Sequence, residues 1–242
     1  MHLSKAKINL ITYFLGGISI SLVLTSILGQ MMRFFSSQNR WQNILSTMFY
    51  VDNEKNIPTI FSSFLLLFAA SLLLIIAYDQ VKRGLVSRYW WILGFGFAFM
   101  SLDEWLSFHE RLIEPVHNFF TSRLNVEHLG LFRFAWVIPA IILIIFLVPY
   151  FYPFLRMLPH QTSKKIILAA SIFLSGAIGT ELIGGYFFAL YGSNNFSYSM
   201  ITTVEESLEM AGVILFIRGL MMFIQMSQAG SIMNDKSSKE AT

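Results

Sequence analysis

Residues 58–78 read PTIFSSFLLLFAASLLLIIAY, an apolar stretch without a single charged residue. An α-helix needs about 20 predominantly apolar residues to cross the hydrocarbon core of a bilayer. Because this stretch has that length and carries no charge, it predicts a transmembrane helix.

Other stretches of similar length and hydropathy lie on both sides of this one. The chain of 242 residues is 55% hydrophobic and 13% charged, with a mean hydropathy of +0.60, whereas soluble domains carry about 25% charged residues. The sequence therefore predicts an all-α polytopic membrane protein. It forms a single six-transmembrane-helix bundle over residues 1–226, with a disordered cytoplasmic tail over residues 227–242. The predicted spans are 8–29, 58–78, 89–112, 131–152, 166–191 and 198–224.

Lysine and arginine are unevenly divided between the two sides that six spans create. If the N-terminus is cytoplasmic, eleven of them fall on the cytoplasmic side and six on the outer side. Cytoplasmic loops carry an excess of positive charge, so both termini are predicted to be cytoplasmic. The expected location is the cell membrane, in a bacterium the inner membrane. The long apolar first span favours a retained anchor over a cleaved signal peptide.

Composition and missing motifs exclude several classes of function. The chain has no cysteine, so disulfides, thiolate metal ligands and iron–sulfur clusters are excluded. No basic stripe with interleaved aromatic residues is present, so nucleic acid is not an expected partner. Phosphate loops, dinucleotide fingerprints and catalytic triads are not recognisable. Membrane lipid is the expected partner.

Acidic residues collect at one depth of three predicted spans, in the outer half of the bilayer. They are Asp103, Glu104 and Glu110 of the third span, Glu181 of the fifth, and Glu205, Glu206 and Glu209 of the sixth. A charged side chain at the centre of a membrane helix costs roughly 2.5–3.5 kcal/mol. The cationic partners at this level, Arg111, Arg133 and His109, are too few for seven acids. Protons, water or a bound cation must therefore neutralise the remainder.

Helical spacing predicts which faces these acids share. On the third span the shared face holds Gly96, Asp103, Ser107 and Glu110. On the fifth span Glu181 lies with Ala177, Gly184 and Gly185, and the polar stripe of the sixth comprises Thr202, Glu205, Glu206, Glu209 and Gly212. Small residues let helices approach closely, so the face around Glu181 is predicted to pack against protein and not lipid.

Three motifs together resemble a known group of proteins. They are DNEKNIPT at 52–59, SLDEWLSFHE at 101–110 and TTVEESLEMAG at 202–212. The chain is similar in these motifs to a group of bacterial multi-pass, six-helix membrane proteins without a named activity. The resemblance implies a six-helix membrane fold and brings no substrate or cofactor with it.

The acidic residues favour a metal-dependent enzyme that acts on a lipid or other apolar substrate. Hard or borderline divalent cations accept carboxylate and imidazole ligands, and the water that they activate serves hydrolysis. The candidate metal ligands are Asp103, His109, Glu110, Glu181, Glu206 and Glu209. Glu104 and Glu205 are the candidate catalytic acid or base.

Three alternatives remain open from the sequence. Intramembrane acids mark ion routes, so a proton- or cation-coupled transporter or channel is the second reading. The inner half of the predicted bundle carries few acids, which disfavours a continuous path. The third reading is a non-catalytic assembly protein or sensor. In the fourth, protonated acids merely hold the helices together through hydrogen bonds.

Overall fold

The computed structural model describes residues 3–36, 40–124 and 130–240, which form helices and turns without a β-strand. The helices are α1 (Lys5–Phe35), α2 (Arg40–Met48), α3 (Ile57–Lys82), α4 (Arg88–Leu106), α5 (Ile113–Leu124), α6 (Val137–Met157), α7 (His160–Leu174), α8 (Glu181–Tyr191) and α9 (Phe196–Glu240). A π-helical turn, Ser175–Thr180, joins α7 to α8, and 3₁₀ turns occupy Glu110–Leu112 and Gly130–Phe132.

Five helical segments are long and apolar enough to cross a membrane. They are α1, α3, α6, the continuous segment His160–Tyr191, and α9 as far as Gln228. The all-helical, membrane-compatible fold predicted from the sequence is therefore confirmed, but the count of six is not. The helix missing from the five is α4, in which Arg88, Asp103 and Glu104 shorten the apolar part.

Several helix boundaries differ from the predicted spans. The third was predicted over 89–112, but α4 ends at Leu106 because Ser107 adopts a left-handed conformation with φ +51°. The fourth was predicted to begin at 131, but α6 begins at Val137, after a 3₁₀ turn. The tail predicted to be disordered continues α9 as helix to Glu240.

The helix α9 is the centre of the bundle. It packs against α1, α3, α7 and α8, and α4 packs along α3. Ser63 of α3 and Ser101 of α4 each donate a hydrogen bond to the other's carbonyl oxygen, both at 2.8 Å. Between the helices lies an apolar core of buried leucine, isoleucine and aromatic side chains, which includes Leu65, Leu73 and Ile217 at 0% exposure.

The two ends of the bundle differ in charge. We call one of them the basic end, which is where α1, α4 and α7 begin and where α3 ends. At this end the Arg218 guanidinium donates to the Asn9 side chain at 3.2 Å. The Arg83 guanidinium donates to the Ser227 carbonyl at 3.3 Å, so the first turns of α1 and the last apolar turns of α9 share this end. At the opposite, acidic end, Phe34 and Phe35 of α1 contact Phe196 of α9.

Candidate functional site

The side chains of Asp103 and His109 form the best-defined polar pair at the acidic end. One carboxylate oxygen of Asp103 accepts the backbone N–H of His109 at 2.9 Å. The other lies 2.8 Å from Nδ1 of the His109 ring. A carboxylate that accepts the Nδ1 proton selects the tautomer whose Nε2 carries a free lone pair. The Asp103 side chain is 20% exposed and that of His109 34%, so the pair is half-buried.

The end of α4 creates this pair. In an uninterrupted helix, residues 103 and 109 are separated by about 9 Å along the axis and point in different directions. The left-handed Ser107 turns the chain back, so that His109 reaches Asp103 instead. The predicted face of Gly96, Asp103, Ser107 and Glu110 on one helix is therefore wrong beyond Leu106, because Ser107 and Glu110 lie outside the helix.

Trp136, the residue before α6, links the His109 pair to the acids of α8 and α9. The ring centroids of His109 and Trp136 lie 4.9 Å apart. The indole Nε1–H of Trp136 donates to Oε1 of Glu181 at 2.8 Å. The carboxyl groups of Glu181 and Glu205 in turn lie close enough to interact with each other. Two carboxyl groups that share a hydrogen bond need one proton between them, so such a pair can hold one proton.

The π-helical turn before Glu181 packs tightly on α9 at its acidic segment. A Cβ atom added to Gly176 would lie 2.8 Å from the Glu205 carbonyl oxygen and 3.1 Å from Cγ of Glu209. Farther along, Gly184 faces Ile201, and Gly185 approaches the Leu131 carbonyl. The predicted packing of the small-residue face around Glu181 against protein is confirmed. π-Bulges occur frequently at functional sites.

Two acids of the loop between α2 and α3 also lie at the acidic end, and the site predicted from the sequence did not include them. Glu54 accepts a hydrogen bond from the Ser107 hydroxyl and interacts electrostatically with Glu110. Asp52 interacts with Tyr50, whose hydroxyl lies 2.9 Å from that of Thr202 on α9. Tyr50 is buried, and the Val51 N–H donates to Ser26 of α1, which ties the loop to the bundle.

The remaining predicted site residues lie near these pairs without a defined hydrogen bond. Glu104 interacts electrostatically with His109 and Asp103, and with Glu206 and Glu209. Of the three predicted cationic partners, His109 pairs with Asp103, but the two arginines make other contacts. Arg111 donates to the Leu106 carbonyl, and the Arg133 guanidinium lies 5.0 Å from the centroid of the Phe188 ring. Neither arginine forms an ion pair with a carboxylate within the part of the chain that the structure describes.

The arrangement does not support the predicted metal centre. Among the residues that the structure describes, no three histidine, aspartate or glutamate side chains are grouped so that they could hold a metal ion. The physical reason is that proposed ligands are already engaged by other side chains: Asp103 binds His109, and Glu181 accepts a hydrogen bond from Trp136.

The groups beyond the ends of the helices have shifted titration. The Asp52 residue is exposed, yet desolvation by the surrounding protein raises its pKa to about 7. The interaction with Tyr50 lowers the pKa, whereas the negative charges of Glu181 and Glu110 raise it further. Burial favours the neutral ring of His109, but the hydrogen bond and charge of Asp103 outweigh it and raise the His109 pKa above its ordinary 6.5. Burial and the neighbouring Glu54 raise the pKa of Glu110.

Comparison with known proteins gives one match. Residues 17–224 match the family described as Domain of unknown function (DUF8692). No curated protein and no solved structure matches the chain. The match covers α3, α4 and the DNEKNIPT, SLDEWLSFHE and TTVEESLEMAG motifs.

Proposed function

The chain belongs to this family, DUF8692, and from that premise we propose that it is a membrane-embedded enzyme. It performs acid–base chemistry on a lipid or other apolar substrate in the outer half of the bilayer. In this proposal α4 also crosses the membrane, as the third of six spans in chain order, and both termini are cytoplasmic. The packing of α4 along α3 supports the first point, and the shared end of α1 and α9 supports the second.

The observation that carries the proposal is the double contact between Asp103 and His109, at 2.9 and 2.8 Å. A histidine whose ring is oriented by a carboxylate is a common general base, because the free Nε2 accepts a proton while the carboxylate stabilises the imidazolium. The raised pKa of His109 makes its ring a stronger base than a free imidazole. Asp103 is a positioning residue in this scheme, since it acts through His109.

In this proposal a proton shared between Glu181 and Glu205 supplies the complementary acid. Glu181 is fixed by the indole N–H of Trp136, whose ring contacts His109, so the same indole connects the base and the acid. In the proposed reaction His109 Nε2 takes a proton from the attacking water or hydroxyl group, whose oxygen forms a bond to the electrophilic atom of the substrate. The bond from that atom to the leaving group breaks, and the Glu181–Glu205 pair donates its proton to the leaving group.

The metal-dependent form of this proposal needs the side chains to rearrange, because the described residues do not form a metal site. A divalent ion would have to displace the proton between Glu181 and Glu205 and recruit Glu206 or Glu209. Elemental analysis of the purified protein decides between the two forms: one divalent ion per chain supports the metal-dependent enzyme.

A non-catalytic proton sensor is the second candidate, and the raised pKa of Asp52, about 7, favours it. This residue titrates next to Tyr50, which contacts Thr202 of the central helix. A proton- or cation-coupled transporter has less support. The buried core on the basic side of Glu209 is apolar, from Val213 to Ile217 on α9 and from Leu65 to Ile76 on α3.

Lipid turnover tests the proposed enzyme. The full-length protein is reconstituted into vesicles of a bacterial total lipid extract, and the products are identified by mass spectrometry. We expect a lipid product whose rate falls about 100-fold or more in Asp103→Asn and His109→Gln. Asp79→Asn is the matched control, because Asp79 pairs with Arg83 at the basic end. A product formed equally by all variants, or none with the wild type, refutes the enzyme proposal.

Three outcomes separate the alternatives to the enzyme. Proton or cation flux that vanishes in Glu181→Gln supports the transporter. A pH-dependent conformational change that is lost in Asp52→Asn, without lipid turnover, supports the sensor. Folded triple variants of Asp103, Glu181 and Glu206 that retain cellular function support an assembly role.

A further inference from the structure

The basic end of the bundle gathers positive charge from three separate helices. Lys5 begins α1, Lys165 lies in the second turn of α7, and Arg218 lies on α9. Arg218 and Lys5 are close enough to repel the Lys165 ammonium group electrostatically. Gly219 of α9 packs against Lys165, so α7 and α9 meet directly at this point.

These cations have poor protein partners. The Lys165 ammonium donates to the thioether sulfur of Met222 at 2.7 Å, and a thioether is a weak acceptor. The Arg218 guanidinium donates to the neutral amide oxygen of Asn9 at 3.2 Å. None of the three cations has a carboxylate partner among the described side chains. At the same end Arg83 does have one, since its Nε lies 2.8 Å from an oxygen of Asp79.

A second, independent feature is an unpartnered hydroxyl group on α7. Thr162 is 2% exposed, and its Oγ1 makes no hydrogen bond in the part of the chain that the structure describes. Thr162 lies three residues before Lys165, so both side chains point to the same side of α7. A buried hydroxyl without a partner loses the hydrogen bonds that water gave it.

Orientation in the membrane does not by itself require this arrangement. The excess of positive charge on the cytoplasmic side is satisfied by exposed lysines and arginines in loops and helix ends, such as Lys82. Lys165 and Arg218 are instead half-buried where three helices meet. Basic pockets between membrane helices on the cytoplasmic side are typical binding sites for anionic lipid headgroups.

We propose that Lys5, Lys165 and Arg218 form a binding site for a phosphate group, with Thr162 as an additional hydrogen-bond donor. An ammonium group and a guanidinium fork both bind phosphate oxygens through charge-assisted hydrogen bonds. The phosphate belongs either to an anionic phospholipid of the surrounding leaflet or to a free phosphate compound. This site is independent of the acid–base chemistry proposed at the opposite end.

Lipid titration of the full-length protein in a neutral detergent tests this site. The probe is dioleoyl phosphatidylglycerol, with dioleoyl phosphatidylcholine as the uncharged comparison. Each cation near a membrane surface contributes enough to change lipid binding about fivefold. We therefore expect Lys165→Gln and Arg218→Gln each to weaken phosphatidylglycerol binding about fivefold, and Arg218→Lys to preserve most of it. Lys82→Gln removes the same charge from an exposed position and is the matched control.

Two results would overturn the site: phosphatidylglycerol binding no tighter than phosphatidylcholine binding, or an equal loss in Lys82→Gln and Arg218→Gln. Sodium phosphate distinguishes the sources of the phosphate group. Displacement of the lipid by sodium phosphate, lost in Arg218→Gln, supports a free phosphate compound, whereas lipid binding that resists sodium phosphate supports the headgroup. If Arg218→Gln fails to fold, Lys165→Gln decides, because Lys165 loses only its contact with Met222.

Discussion

Replacement of Gly176 by alanine tests the close approach of the π-helical turn to α9. The added Cβ would lie 2.8 Å from the Glu205 carbonyl oxygen and 3.1 Å from Cβ of Leu208. Ordinary van der Waals contact begins at 3.4 Å, so the two segments must separate by about 0.6 Å. The nearest atom belongs to the backbone and cannot rotate away. Overpacking of this kind costs about 1–3 kcal/mol, and we expect that loss in the free energy of unfolding.

Gly179 provides the matched control for this prediction. It lies in the same π-helical turn, but an added Cβ meets nothing within 4 Å. Alanine there changes the backbone propensity alone, by about 1 kcal/mol or less in the stabilising direction. The assay is reversible unfolding of the purified protein in mixed micelles, followed by far-UV circular dichroism. Equal stability of Gly176→Ala and Gly179→Ala would refute the close packing of Ser175–Thr180 on the Glu205–Glu209 segment.

Three further predictions concern the acidic end. Trp136→Phe keeps an aromatic ring beside His109 but removes the hydrogen bond to Glu181, so the free energy of unfolding should fall by about 1–2 kcal/mol. An unchanged free energy of unfolding in chemical denaturation would contradict that hydrogen bond. Lys55 adopts φ +56°, so Lys55→Gly should raise the melting temperature through a gain of about 1 kcal/mol, and a lower melting temperature would contradict a strained turn. The pKa of Asp52 in the folded protein is about 7, above its ordinary 3.8. Protonated Asp52 therefore stabilises the fold at low pH, and this contribution is lost as the pH rises from about 4 through 7. Asp52→Asn cannot ionise and should flatten that part of the pH profile of thermal unfolding, whereas an unchanged profile would show that Asp52 does not titrate there.

Much of the fold is predictable because hydropathy alone indicates which segments are long and apolar enough to cross a membrane. The stretch at 58–78 lies within α3 (Ile57–Lys82), and the π turn lies inside the predicted fifth span without ending it. Helix ends are less predictable, since they depend on local conformation. A serine at position 107 carries no sequence signal for a left-handed residue, and its φ of +51° moves the end of α4 to Leu106.

The candidate site is only partly predictable, because it too depends on local conformation at the helix ends. Periodicity places residues on helix faces, so it pairs Asp103 with Ser107 and Glu110 and misses the contact with His109 that the chain reversal makes. Loop acids have no periodicity at all. Asp52 and Glu54 are the first and third residues of a motif that the resemblance singles out, and that was the available signal. The approach of Asp52 and Glu54 to Glu110 depends on the burial of Tyr50, which contacts Thr202, and of Val51.

The opposite charges of the two ends do not neutralise each other. Glu209 and Arg218 lie nine residues apart on α9, which is about 14 Å along a helix. At an effective dielectric constant of about 20, two unit charges at that separation attract by about 1 kcal/mol. An unpaired charge within a membrane helix costs roughly 2.5–3.5 kcal/mol, so the attraction offsets less than half of one such cost. Each end must therefore find its own counter-charge, because the apolar core from Val213 to Ile217 lies between the two charges on α9. In our proposals a proton shared by two carboxyl groups meets this need at the acidic end, and an anion such as phosphate meets it at the basic end.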